Sequence, residues 1–88
     1  MEYTIDCANV SSKEEFHRIL AETLHFPAHY GRNLDALYDC LTDISEETRI
    51  RLVNWADAEE KLGSYARGAK RAILEAAIEN KKLAVTFD

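Results

Sequence analysis

The sequence predicts a small α/β fold in which a three-stranded parallel sheet packs against four helices, in the order β-α-α-β-α-α-β. Two observations lead to this fold class. Three short runs of β-branched and aromatic residues are separated by pairs of stretches with helical periodicity. Strands that are joined through helices pair in parallel through right-handed crossovers. The length, with no low-complexity tract or linker, fits a single domain over residues 1–88.

The first strand and the first helix are predicted from local patterns. The β-prone run Tyr3–Ile5 indicates a strand over about residues 1–6. Ser11–Glu15 offers a capping box in either of two registers. Apolar residues at helical spacing follow it and predict a helix over about residues 12–24. Pro27 closes this segment, because proline disfavours helical conformation in the residue before it.

The stretch Tyr30–Leu41 predicts a sharp turn that leads into an amphipathic second helix, over about residues 33–42. Gly31 permits a tight turn, and Asn33 is a good N-cap because its side-chain oxygen can accept a backbone N–H of the first turn. One apolar stripe follows at helical spacing, made of Leu34, Leu37, Tyr38 and Leu41.

The second half of the chain begins with a polar connector over residues 43–48. Arg49–Asn54 is the second predicted strand, and Trp55, which follows it, is expected in the core. Asp57–Leu62 predicts a short helix that stops at Gly63.

The last helix and the last strand complete the predicted order. Ser64 is the expected N-cap of a helix that runs to about Asn80, which can end it in the left-handed conformation. The alanines of this helix recur at helical spacing and would allow close packing on a sheet. Leu83–Phe87 is the third strand.

Composition narrows the class of function. Sixteen acidic residues against eleven Lys and Arg give a net charge of −5, which argues against a general nucleic-acid binder and favours a basic partner. No apolar run reaches the length of a membrane span, and residues 1–6 lack a signal-peptide pattern. We therefore expect a cytoplasmic protein that contacts neither membranes nor nucleic acid directly. Cys7 and Cys40 are expected to be reduced thiols.

Asp35 and Asp39 are the candidate functional pair, because they repel each other at i, i+4 with no Lys or Arg nearby on the helix. They could be an acid–base pair, although carboxylates on one helix do not form facing walls of a cleft. A metal site lacks further ligands at suitable spacing. A third alternative is that the two aspartates simply form the solvated face of an amphipathic helix. The last possibility is an acidic strip for a basic protein, with Tyr30 and Tyr38 as anchors.

The histidines and Cys40 suggest little chemistry of their own. His17, His25 and His29 are too few for a zinc site, and Cys40 has no evident activating group. We expect structural roles for them, with His29 held as a possible contact at the start of the acidic helix. Glu75 would pair with Arg71 at i−4 on a solvated face.

The stretch Tyr30-Gly31-Arg32-Asn33-Leu34-Asp35-Ala36-Leu37-Tyr38-Asp39-Cys40-Leu41 resembles the barstar family of small intracellular ribonuclease inhibitors. The family pattern is Y-Y-G-x-N-L-D-A-L-W-D-C-L. The likeness extends to Pro27 before this motif, Trp55 after it and Glu75-Ala76 before the last strand, and so covers essentially the whole chain. The chain departs from the family at four positions: His29 replaces a tyrosine, Tyr38 and Ile44 each replace a tryptophan, and Asp43 replaces a glycine.

The resemblance implies a cytosolic inhibitor that fills the active site of a secreted, guanyl-preferring microbial ribonuclease. Asp39 would stand in for a substrate phosphate, and Asp35 would pair with basic or amide groups beside it. Glu75 and Thr42 match further contact positions. The partner-binding residues implied in this way are His29, Tyr30, Gly31, Asn33, Asp35, Tyr38, Asp39, Thr42 and Glu75.

Three hypotheses of function follow. The first is a non-enzymatic, monomeric inhibitor of a basic extracellular-type ribonuclease, without metal or cofactor. The second is an acidic adaptor or antitoxin-like module for a basic partner that is not a ribonuclease. The third is a small hydrolase using Asp35 or Asp39, against which stands the lack of a convergent nucleophile and base.

Overall fold

The computed structural model describes residues 1–88 and contains three strands and four helices in the predicted order. The strands are β1 (Glu2–Asp6), β2 (Thr48–Val53) and β3 (Leu83–Phe87), and the helices are α1 (Lys13–Leu24), α2 (Leu34–Thr42), α3 (Trp55–Leu62) and α4 (Ser64–Glu79). The sheet has the order β1-β2-β3 with both pairs parallel. The predicted α/β fold class is therefore confirmed. None of the helices combines the length and apolarity that crossing a membrane requires.

The helices cover only one face of the sheet. Along the central strand β2, Thr48, Ile50 and Leu52 are buried, whereas Arg49 and Arg51 are exposed. Parallel sheets usually have both faces covered and therefore read as continuous apolar runs. The alternation of arginines with aliphatic residues in β2 explains the difference, because the arginines keep the second face in solvent.

Helices α2 and α4 pack closely beneath the surface that carries the acidic pair. Leu37 and Leu41 of α2 are fully buried, and α4 buries its alanine-rich face at Ala66, Ala69, Ile73 and Ala76. At the crossing, a Cβ built on Gly68 would lie 3.2 Å from Leu34 Cδ1. The lack of a side chain at Gly68 therefore allows the two helices to approach.

Helices α1 and α2 begin after the predicted N-cap residues, whereas the starts of α3 and α4 differ from the prediction. Ser12 and Asn33 are the N-caps of α1 and α2, and each side-chain oxygen accepts a backbone N–H, from Glu15 at 3.1 Å and from Ala36 at 2.8 Å.

Helix α3 begins two residues earlier than predicted, at Trp55, because Asn54 takes the left-handed conformation (φ 58°) and turns the chain directly out of β2. The turn buries the Trp55 ring against Phe87, with ring centroids 4.9 Å apart. The prediction that Trp55 lies in the core is confirmed. Ser64 is not an N-cap but the first residue of α4, after Gly63 with φ 59°.

Asn80 ends α4 in an extended conformation (φ −109°, ψ 104°), so the predicted left-handed cap is wrong. Its side chain instead joins the ends of two helices. The Nδ2 group donates hydrogen bonds to the carbonyl oxygens of Leu41, at 3.0 Å, and Ile44, at 2.9 Å. The Oδ1 atom accepts the Lys82 N–H at 3.0 Å. Asn80 thus supplies the donor for the Ile44 carbonyl and a second donor for the Leu41 carbonyl, which also accepts the Ile44 N–H at 3.4 Å.

We expect Asn80→Ala to lower the free energy of unfolding by about 1–3 kcal/mol, because it removes these three hydrogen bonds and leaves the part-buried Ile44 carbonyl without a donor. Urea unfolding followed by circular dichroism measures this as a lower midpoint at unchanged slope. Asn9→Ala is the control, since Asn9 does not belong to the buried core. Equal midpoints for the two variants would show that the link between α4 and α2 contributes nothing.

Candidate functional site

Helix α2 divides its residues between the core and the solvent. Leu37 and Leu41 face inward, Tyr38 is half-buried, and Asp35, Asp39 and Asp43 are exposed. We term these three aspartates the acidic ridge. Asp43 is the residue that ends the helix, and its N–H donates to the Asp39 carbonyl at 3.1 Å.

No basic side chain of the protein forms an ion pair with the acidic ridge. The five ion pairs of the structure involve none of its three carboxylates. Asp35 lies in the first turn of α2, where the helix dipole favours a negative charge, whereas Asp39 and Asp43 lie towards the C-terminal end, where the dipole opposes it. The ridge therefore concentrates uncompensated negative charge, which a cation from outside can neutralise.

A hollow with a volume of 420 Å³ lies between α2 and the loop that precedes it. The loop contributes His25, Phe26, Pro27 and His29, and the other side is formed by Asp39, Cys40, Asp43 and Ile44. We term this the loop hollow. Its wall is largely apolar, while Asp39 and Asp43 place carboxylates at its edge. The hollow can thus hold a ring or an aliphatic group that carries positive charge.

Tyr30 is mostly buried, although it also lines the loop hollow. It is 8% exposed, and its ring packs against Phe26 with centroids 4.8 Å apart. Its hydroxyl group lies 2.6 Å from Nδ1 of the buried His17. Tyr30 therefore supports the loop from the core side, and its contact with a partner stays a prediction.

His17 joins three parts of the chain, a role that the sequence did not reveal. Its Nε2 atom lies 2.6 Å from the hydroxyl group of Tyr65 on α4, so both ring nitrogens are engaged by tyrosines. Burial lowers the pKa of His17, which favours the neutral imidazole. The expected structural role is confirmed, but no spacing pattern links residues 13 and 48 positions away.

The turn before α2 is tightly built around Gly31 and Asn33. A Cβ on Gly31 would lie 3.2 Å from the Ala36 Cβ, and Asn33 Nδ2 donates to the Gly31 carbonyl at 3.3 Å. The positive φ of the turn, 55°, falls on Arg32 and not on Gly31. A side chain at Gly31 would therefore crowd Ala36, and the left-handed conformation of the turn does not depend on this glycine.

A second, shallower hollow of 290 Å³ separates α2 from α4. Asp35 and Tyr38 of α2 line one side, and Arg71 and Glu75 of α4 line the other. We term this the interhelix hollow. The predicted pairing of Arg71 with Glu75 is confirmed, with 3.6 Å between Arg71 Nε and Glu75 Oε2. The packing of α2 on α4 thus brings Glu75 beside the ridge.

The two cysteines are free, and the pKa of each thiol is raised. Burial, together with Asp6, raises the pKa of Cys7 to about 11. The pKa of Cys40 is raised mainly by burial and further by the negative charges of Asp43 and Asp39. A thiol held protonated in this way is a poor nucleophile. No group of three or more His, Cys, Asp and Glu side chains is placed to hold a metal ion.

The structure brings most of the predicted contact residues to one surface. His29, Tyr30, Gly31 and Asp39 line the loop hollow, while Asp35, Tyr38 and Glu75 line the interhelix hollow. Thr42 is half-buried, and its hydroxyl donates to the carbonyls of Tyr38 and Asp39 at 3.0 Å. Asn33 is exposed but caps α2. That these residues contact a partner stays a prediction.

Two comparisons match this chain to proteins that are named as inhibitors. The model of the family described as Barstar (barnase inhibitor) matches residues 1–88. A protein of Bacillus subtilis (strain 168), which carries the name "Putative ribonuclease inhibitor YrdF", is 41% identical over 78 residues, and these cover 88% of this chain and 86% of that protein.

Proposed function

Since the chain belongs to the barstar family, we propose that it inhibits a secreted, guanyl-specific microbial ribonuclease by placing the acidic ridge in the enzyme's active site. RNA is a polyanion, so the groove that binds it must offer cationic groups to phosphates. Carboxylates held at a protein surface can occupy the same positions and exclude the substrate. The protein would act as a cytoplasmic, monomeric, single-domain inhibitor and not as an enzyme.

The uncompensated charge of Asp39 is the observation that supports this proposal most strongly. Asp39 is exposed, makes no ion pair within the chain and stands at the edge of the loop hollow. In the proposed complex it takes the place of a substrate phosphate and meets the catalytic arginine and histidine groups of the enzyme. Asp35 then pairs with basic or amide groups farther along the helix.

The two hollows give the proposed contact its shape. The loop hollow can receive a side chain of the enzyme beside Asp39, with the imidazole of His29 free to stack on it. Tyr38 lines the interhelix hollow together with Asp35 and Glu75, and its ring can pack there on the rim of the enzyme's groove. A ridge between two hollows suits a concave partner better than a flat one.

We expect the protein to associate with the enzyme fast at low salt and much more slowly at high salt. The net charge of −5 attracts a basic enzyme, and salt screens this attraction. The association rate constant should fall by about tenfold or more between about 20 mM and about 500 mM NaCl. Stopped-flow mixing with small guanyl-specific ribonucleases, followed by RNA cleavage assays, measures both rate and inhibition.

Uninhibited RNA cleavage at micromolar excess of this protein, across several such enzymes, would contradict the proposal. That result, together with co-purification of a basic protein that is not a nuclease, would favour the second hypothesis of an acidic adaptor.

A further inference from the structure

The interhelix hollow contains one cation among its carboxylates. Asp35 and Glu75 are negative, and Arg71 is the only basic side chain that lines the hollow. Its guanidinium Nε lies 3.6 Å from Glu75 Oε2. One of the two carboxylates that a basic partner could use in this hollow is therefore already engaged from within the chain.

The pair of Arg71 with Glu75 is exposed and easily broken. The side chains are 82% and 58% exposed, and an ion pair in such a setting contributes little to stability because water and salt screen it. The guanidinium can leave Glu75, but the backbone of Arg71 stays in place, because α4 packs closely against α2 at Gly68. The guanidinium therefore stays within reach of the hollow that Asp35 and Glu75 line, whether or not the pair is closed.

We propose that Arg71 is a specificity-determining residue that competes with a partner's cations for Glu75 and lowers the affinity for uniformly basic partners. This inference rests on the proposed function of the acidic surface. A partner arginine or lysine that approaches Glu75 must displace Arg71 and then remains close to a like charge. Such repulsion discriminates between partners, because it weakens those that present positive charge at this hollow.

Arg67 provides a matched control for the charge of Arg71. It lies one turn earlier on α4, is exposed, and belongs to no ion pair. It does not line the interhelix hollow. Arg67→Gln and Arg71→Gln change the net charge equally, so any difference between them measures the local effect at Glu75.

The test uses a hexa-arginine peptide, which carries positive charge without the rest of a ribonuclease. Titration calorimetry at low salt should show that Arg71→Gln binds the peptide at least about threefold more tightly than Arg67→Gln does. In a Glu75→Gln background the same two substitutions should have equal effects, because the carboxylate over which they compete is gone. Thermal melts establish that all variants fold.

Three results would overturn the inference: equal affinities of Arg67→Gln and Arg71→Gln for the peptide, an advantage of Arg71→Gln that persists without Glu75, or no measurable peptide binding by any variant. Parallel inhibition assays separate this inference from the proposed function. If a ribonuclease is inhibited and the two variants behave alike, only the inference about Arg71 fails. If no ribonuclease is inhibited but the peptide distinguishes the variants, only the ribonuclease proposal fails.

Discussion

Asp39→Ala should weaken inhibition of a sensitive ribonuclease by at least about 2 kcal/mol, or roughly 30-fold in the inhibition constant. Asp39 is the exposed carboxylate at the edge of the loop hollow, and it makes no ion pair within its own chain, so its charge is available to the enzyme. The enzyme groups that it meets would remain buried in the complex without a partner. A complex of the barstar family itself marks the upper end of this energy range, so the figure rests on a relative of this chain.

The matched control for Asp39→Ala is Glu60→Ala, which removes an exposed carboxylate of α3 that belongs to no ion pair. Both variants lose one negative charge, so the long-range attraction to a basic enzyme falls equally. The inhibition constant of Glu60→Ala should change less than about threefold, as expected for a charge outside the contact. If Asp39→Ala costs less than about 1 kcal/mol, the centre of the contact lies elsewhere.

His17→Ala should lower the free energy of unfolding by about 3–4 kcal/mol, which corresponds to a fall in Tm of at least about 12 °C for a domain of this size. The substitution leaves a cavity where a fully buried ring stood. It also removes the hydrogen-bond partner of two tyrosine hydroxyls, those of Tyr30 and Tyr65. Differential scanning calorimetry gives the change, and His29→Ala is the control because His29 is exposed.

The neutral state of His17 also predicts how stability depends on pH. Burial lowers its pKa in the folded protein, while the unfolded chain keeps the ordinary value of about 6.5. Below that pH the unfolded state binds a proton that the folded state does not. This contribution to stability is therefore complete above about pH 6.5 and is lost as the pH falls towards the lowered folded-state pKa.

His17→Phe separates the titration from the loss of packing, because it keeps a ring in the site but cannot bind a proton. Its unfolding free energy should be less sensitive to pH between about 6.5 and 5 than that of the wild type. Equal pH dependence of the two proteins over this interval would show that His17 is not the titrating group.

The parts of the fold that the sequence predicts are those that depend on near neighbours. The order of strands and helices follows from hydrophobic periodicity, and the helix start at Asn33 follows from its capping chemistry. The burial of Leu37 and the exposure of Asp35 and Asp39 follow from their angles around one helix. Each of these depends on residues within a few positions along the chain.

The parts that could not be predicted depend on contacts between distant residues. The sequence suggested a surface role for Tyr30, and only the fold shows that its hydroxyl meets His17 in the core. Asn80 was expected to end its helix through backbone conformation, but its side chain bonds to the carbonyls of Leu41 and Ile44, far away along the chain. The alternation in β2 could have indicated the open face of the sheet, since a polar residue at every second position marks a strand with one solvated side.

The open face of the sheet is a second, exposed surface of this small protein, distinct from the surface that carries the acidic ridge. Thr4, Arg51 and Thr86 are neighbours in one row across the three strands and are all exposed, on the side away from the helices. A dye, a fused domain or a solid support joined to this row would leave the acidic ridge unobstructed.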